Sequence, residues 1–255
     1  MEQRGMNERI RKLRALSVNT PPHIDMERAK IMTETYRRDE GVLSVPQLRA
    51  QALKDYFSQK TLYLGEGELI VGEKGDSPQG APTFPELCCH SVEDMRLMNE
   101  RELIRFQVTP EDMALQEKVM IPFWKERCIR SRIFRQMTPE WKKAYECGIF
   151  TEFMEQRGPG HTVGSSKIYE KGLLDYQRDI QEAIDRLDFF QDPHALERKE
   201  ELEGMYTACE ALMILAARYS KYARELAEQE GDAQRRAELL QIAENCAVVP
   251  AHRPQ

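Results

Sequence analysis

The sequence predicts a mainly α-helical chain with a few short strands. Helix-start signals recur along it, and apolar residues step by three and four over long stretches. One glycine- and proline-rich stretch, residues 61–90, breaks that texture. The chain has 255 residues, 41% hydrophobic and 31% charged, enough to bury a sizeable core. Its net charge of -6 is spread over mixed acids and bases, so neither nucleic acid nor an anionic membrane is expected as the main partner. No apolar run approaches the roughly 18 residues of a membrane span. The charged N-terminus has no signal-peptide core, so a cytoplasmic setting is expected. There the six cysteines, which show no CxxC spacing, should be reduced.

The elements follow in order. Asp25 is placed to cap a helix through residues 26–38. Ser44 and Pro46 open the next, with Leu48, Ala52 and Tyr56 four apart. Ser91 with Asp94, and Thr109 with Asp112, fit the capping box. Thr109-Pro110 and Thr138-Pro139 put a cap before a first-turn proline. Pro122 should bend or restart the helix opened at Thr109, near Ile121. Leu173, Tyr176, Ile180, Ile184 and Leu187 make one apolar face. Leu202, Met205, Cys209, Leu212, Ala216, Tyr219, Ala223 and Leu226 predict a long helix over about 195–230, packed against a larger body. Asp232 caps a last helix to about Asn245. In the 61–90 stretch, Leu62 and Leu64 alternate and Leu69-Ile70-Val71 form a short run, read as one or two strands and an extended loop. No linker divides the chain, which reads as residues 1–255 of one domain or part of one. The close "CAVVPAHRPQ" leaves a helix for an extended, proline-punctuated segment, so the chain is expected to be part of a longer protein.

Several clusters invite chemistry. Cys88-Cys89-His90 stands just before a helix cap, but adjacent ligands rarely converge on a metal, so half-buried structural residues are the preferred reading. A cysteine at a helix N-terminus can instead have a lowered pKa and react. Glu66, Glu68, Glu73 and Asp76 are read as a solvated rim. No phosphate loop, HExxH or nucleophile triad can be assembled. A second loop, residues 157–166, is rich in Gly, Ser and Thr, and its Gly158-Pro159-Gly160 cannot continue a helix. It presents His161, with Phe150, Phe153, Glu152, Glu155 and Arg157 just upstream, a setting that suits a functional histidine.

The stretches "GELIVGEKGDSPQGAPTFPELCCHSVEDM" (67–95), "IPFWKER" (121–127), "MTPEWKKAYECGIFTEFMEQRGPGHTV" (137–163) and "IYEKGLLD" (168–175) resemble the N-terminal region of glycyl radical enzymes of the pyruvate formate-lyase type. With "ERAKIMTETY" (27–36) and "AENCAVVPAHRP" (243–254), the resemblance runs over about residues 8–254. It implies the N-terminal part of a ten-stranded α/β barrel wrapped in helices. It further implies a radical glycine and a catalytic cysteine and glutamate downstream of residue 255, with a radical-SAM activating enzyme that installs the radical. No cofactor or metal would be held by this segment, and a homodimer is a family expectation. The runs at 73–86 and 151–163 match the branch that dehydrates 4-hydroxyproline. In that branch His161 matches a histidine near the departing C4 hydroxyl, and Phe153 an aromatic of the pocket wall. Arg157, Gly158 and Gly160 would shape the loop, with Glu155 and Thr162 supporting the histidine. Another lyase or dehydratase of the family, or a stand-alone helical module, are the alternatives.

Overall fold

The computed structural model describes residues 7–149 and 166–254. In chain order the elements are α1 (Glu8–Asn19), β1 (His23–Asp25), α2 (Glu27–Asp39), α3 (Val45–Gln59), β2 (Gly80–Pro82), α4 (Val92–Glu100), α5 (Pro110–Leu115), α6 (Ile121–Trp124), α7 (Ile129–Gln136) and α8 (Pro139–Glu146). Beyond the second loop come α9 (Lys167–Glu170), α10 (Leu173–Asp185), α11 (Ala195–Gln229) and α12 (Ala233–Val248). The architecture is mainly helical, with one pair of short strands among the described residues. The chain divides into two compact units. The first takes Met1–Thr20, Glu34–Pro78 and Val163–Gln255, the second Pro21–Thr33 and Gln79–Thr162.

The first unit is built on α11, which packs along α3, α10 and α12. Its buried line is Gly204, Ala211, Tyr219, Ser220, Ala223 and Ala227. This differs from the predicted stripe: Tyr219 and Ala223 are buried, but Met205 is 52% exposed and Leu212 also faces outward. Close approach explains the shift toward small residues. A Cβ on Gly204 would stand 3.0 Å from the Pro46 carbonyl oxygen, so the start of α3 lies against the α11 backbone itself. Leu64, Ala223, Ala227, Leu239, Ile242 and Ala243 form one apolar cluster of this unit. Polar ties run along the same seams. Arg218 donates to the carbonyls of Phe57 and Lys60 at 2.7 and 2.8 Å, satisfying oxygens that the end of α3 leaves unpaired. Ser220 donates to the Ala243 carbonyl at 2.7 Å, and Lys54 pairs with Glu210 at 2.8 Å. The N-terminus of α10 is closed by the chain's last segment: Leu173 and Leu174 donate to the carbonyls of Pro250 and Ala251.

The second unit opens on β1, which pairs in parallel with β2 in the register His23 to Gly80, Ile24 to Ala81 and Asp25 to Pro82. Gln107 extends the pairing, accepting from the Ile24 amide at 2.9 Å. The strand of the glycine-rich stretch is therefore Gly80–Pro82. The predicted apolar run Leu69-Ile70-Val71 is not a strand, and Ile70 is 86% exposed. Apolar character alone does not make a strand; a ladder partner does, and β1 supplies one to Gly80–Pro82. Asp25 caps α2 as expected, accepting from the Glu27 amide at 2.8 Å. Both predicted capping boxes form, Ser91 with Asp94 and Thr109 with Asp112. Asp232 also caps α12, accepting from the Arg235 amide at 2.7 Å, and at the start of α3 the Gln47 side chain accepts from the Ser44 amide at 3.1 Å.

Pro122 does not stop its helix. Residues Gln116–Met120 form a π-helical turn between α5 and α6, and the Ile121 amide reaches back to the Gln116 carbonyl. Proline has no N–H and its ring crowds the carbonyl four residues earlier. The wider turn takes up that misfit and the chain stays helical. It also turns the Gln116 side chain into the unit's interior, where it is buried.

Candidate functional site

Phe153, Glu155, Arg157, Gly158, Gly160, His161 and Thr162 lie outside the described residues. The described chain reaches the run that holds them through α8 and resumes just before α9. Thr138 caps α8, its hydroxyl accepting from the Trp141 amide, and Pro139 fills the first turn. The helix closes at Cys147 and Gly148. Gly148 has φ +73°, a left-handed conformation that glycine adopts at little cost, and its amide donates to the Tyr145 carbonyl at 2.9 Å. The Ile149 amide donates to the Ala144 carbonyl at 3.0 Å. The helix α8 thus ends at Glu146, and the predicted helix end at Gly158-Pro159-Gly160 lies outside the described residues.

The start of α7 is where the Cys88-Cys89-His90 segment is held. The amides of Ile129 and Arg130 donate to the carbonyls of Glu86 and Leu87, both at 3.0 Å. The Arg130 guanidinium donates to the Cys88 sulfur at 3.3 Å and to the Tyr145 hydroxyl at 2.8 Å. Phe134 and Tyr145 meet edge to face with ring centroids 5.1 Å apart. On the other side, the buried Gln116 amide donates to the His90 carbonyl, and to the Cys89 sulfur at 3.8 Å. These contacts bear on the reactive-thiol reading of this segment. Burial, with Cys128 and Cys88 nearby, pushes the Cys89 thiol up to about 12, so it is not an activated nucleophile. Burial also holds His90 below the usual imidazole range, against the pull of Asp94. No group of three or more His, Cys, Asp or Glu among the described residues is arranged to hold a metal ion. Sequence reading missed Arg130 and Gln116, because their partners lie 42 and 26 residues away and no local pattern marks them.

The acids of the 61–90 stretch do not converge either. Glu68 accepts from the Gly65 amide at 2.8 Å, Glu73 from the Lys74 amide at 3.0 Å, and Glu66 pairs with Lys12 at 3.3 Å. Glu66 and Lys12 belong to a cleft of about 530 Å³ in the first unit, lined also by Arg9, Arg235 and Glu238. Several of its charges pair within the chain. Arg9 pairs with Glu238 and holds that carboxyl below the ordinary range, while Arg235 ties Glu238 to the carbonyls of Glu68 and Gly65. The cleft is a joint among α1, α12 and the 65–68 turn. No helix among the described residues is long and apolar enough to cross a membrane.

Comparison with known proteins extends this picture. The chain is 52% identical over 252 residues to trans-4-hydroxy-L-proline dehydratase of Clostridioides difficile, covering 99% of this chain and 32% of that protein. The crystal structure of that enzyme with trans-4-hydroxy-L-proline bound superposes with a TM-score of 0.92 over 98% of this chain and 32% of its own. The B12-independent glycerol dehydratase of Clostridium butyricum matches with a TM-score of 0.88 at 28% identity, over 99% of this chain and 32% of that one. A glycyl radical enzyme of Archaeoglobus fulgidus matches at 0.83 and 30% identity, over 97% of this chain and 32% of that one. The chain spans about a third of the length of these relatives, and its mainly helical fold is that of their N-terminal part. A family model described as pyruvate formate lyase-like matches residues 6–255, and the chain belongs to that family.

Proposed function

We propose that the chain is the N-terminal part of a cytoplasmic glycyl radical dehydratase that removes water from trans-4-hydroxy-L-proline to give a pyrroline-5-carboxylate. The observation that carries this is the 52% identity to the hydroxyproline enzyme, sustained over 252 residues. The radical glycine, the cysteine it oxidises and the glutamate beside it would lie beyond residue 255, and a radical-SAM activase would install the radical under anaerobic conditions. That radical supplies the hydrogen abstraction that weakens the C4–O bond. This chain supplies one wall of the pocket. His161, as imidazolium, gives its proton to the departing C4 hydroxyl, so that water leaves instead of hydroxide. Phe153 packs on the pyrrolidine ring and keeps water off it. Arg157, Gly158 and Gly160 shape the loop backbone, and Glu155 and Thr162 support the imidazole. A homodimer fits the family.

The test is the reading frame beyond Gln255 and the enzyme it encodes. The complete protein, activated without oxygen, should dehydrate trans-4-hydroxy-L-proline, and His161→Ala should lower turnover by about 10²-fold or more with the glycyl radical signal intact. Wild-type turnover by that variant would remove His161 from the mechanism. Turnover of glycerol, propanediol or isethionate in place of hydroxyproline would assign the chain to another branch, a reading that the likeness to the glycerol dehydratase keeps in play.

A further inference from the structure

We propose that α1 is a strap latched to the first unit by one ion pair, Arg9 with Glu238, and that screening or breaking this pair frees the helix while the body beneath it stays folded. The proposal does not depend on the function proposed above. None of the residues of α1 is buried, and only Arg9 and Leu13 are half-buried. These two stand four apart on one face, so the helix offers the unit a contact line one turn long. Ile10, Leu16 and Val18 are exposed. Burial therefore contributes little to holding α1, and a helix of 12 residues is marginal in water on its own. Charge takes over that role. α1 carries Arg9, Arg11, Lys12 and Arg14 against one acid, Glu8. The cleft beside it is lined on the body side by Glu66, Glu230, Asp232 and Glu238, with Arg235 as the one base. The pair of Lys12 with Glu66 at 3.3 Å is exposed on both sides, and such pairs contribute little. Arg9 is better placed. Its stem lies over Gly67, where a Cβ would stand 3.5 Å from the Arg9 Cγ, and its side chain and that of Glu238 are only 31% and 18% exposed. The Glu238 carboxylate is also aimed before Arg9 arrives. Gln234 donates to the same oxygen at 3.3 Å and Arg235 to the other at 3.3 Å, while Arg235 is itself fixed on the carbonyls of Gly65 and Glu68. An acceptor ordered in advance costs little to engage, so the body carries the socket and α1 brings a single side chain to it.

Glu238→Gln keeps the shape of the socket and removes its charge. In the full chain, short-time hydrogen exchange at the amides of Leu13 to Val18 should quicken about tenfold, while α11 and α12 stay within about twofold of wild type. Arg9→Met, which keeps the stem over Gly67, should match it, and the double variant should be no worse than either alone. Raising sodium chloride from about 0.05 M to about 1 M should quicken exchange in α1 of the wild type and leave Arg9→Met nearly unchanged. Glu66→Gln and Ser17→Ala test the other polar contacts of α1, and each should stay within about twofold of wild type. Unchanged exchange in Glu238→Gln, indifference of the wild-type helix to salt, equal loosening by Glu66→Gln or Ser17→Ala, additive losses in the double variant, or loosening of α12 together with α1 would each overturn the proposal.

Discussion

The indole N–H of Trp124 donates to the hydroxyl of Thr33 at 2.7 Å, and that hydroxyl in turn donates to the Ala29 carbonyl at 2.6 Å. Both side chains are buried, so the link joins α6 to α2 inside the second unit, just past the π-helical turn. Thr33→Val keeps the shape and removes the hydroxyl that accepts from the indole N–H. It should destabilise the unit by about 1 kcal/mol, what a buried hydrogen bond contributes. Trp124 and Trp141 both lie in this unit, so urea unfolding followed by tryptophan fluorescence reads the effect.

Gly172 is wedged against the last segment of the chain. A Cβ there would stand 2.3 Å from the Ala251 carbonyl oxygen and 2.4 Å from the His252 Cα, both backbone atoms. Gly172→Ala should cost about 1–3 kcal/mol through overpacking. Gly231, which has open space around it, is the control, and Gly231→Ala should stay within about 0.5 kcal/mol of wild type. Thermal melts of the two variants side by side check the contrast.

Thiol labelling should discriminate among the cysteines. Cys147 is exposed at the end of α8, whereas Cys88 and Cys128 are buried and Cys89 is held with its thiol pushed up to about 12. At pH 8 in the folded chain an aromatic disulfide reagent should modify Cys147 first and leave Cys89 among the last, in the order of thiolate fraction and access. Peptide mapping after brief exposure gives the order, and early modification of Cys89 would contradict the buried placement.

His90 makes stability fall in mild acid. Its folded pKa is lowered, so between its ordinary value near 6.5 and the lowered one the unfolded chain binds the proton that the folded chain refuses. The contribution is fully present above about pH 6.5 and is lost as pH drops through that window. Urea midpoints at pH 7.5 and 5.5 should differ less for His90→Asn than for wild type. An equal difference in both would show that other groups carry the acid sensitivity.

The helices and their boundaries were legible because their signals are local. Ser91, Thr109, Thr138 and Asp232 each cap within three residues of themselves, and all four do so as the sequence suggests. The pairing of His23–Asp25 with Gly80–Pro82 was not, since neither stretch is apolar or alternating and each is a strand only because of the other. The face of α11 was half legible: hydrophobicity points to its large side chains, but close helix approach selects Gly204 and Ala211, which hydrophobic patterning undervalues. For the site, composition and punctuation could single out a histidine after Gly158-Pro159-Gly160, while its chemical role comes from the resemblance. Arg130 carries no signal at all in the sequence, because what distinguishes it is two partners brought to it by the fold.

The seam between α3 and α11 joins residues such as Lys54 and Glu210 that are 156 positions apart. On a ribosome adding about 5–20 residues per second, α3 therefore emerges roughly 8–30 s before the helix that covers it. The second unit, whose segments end at residue 162, is completed during that interval. The apolar side of α3 is left open to solvent for the same period, which makes this helix the natural client of whatever holdase meets the nascent chain.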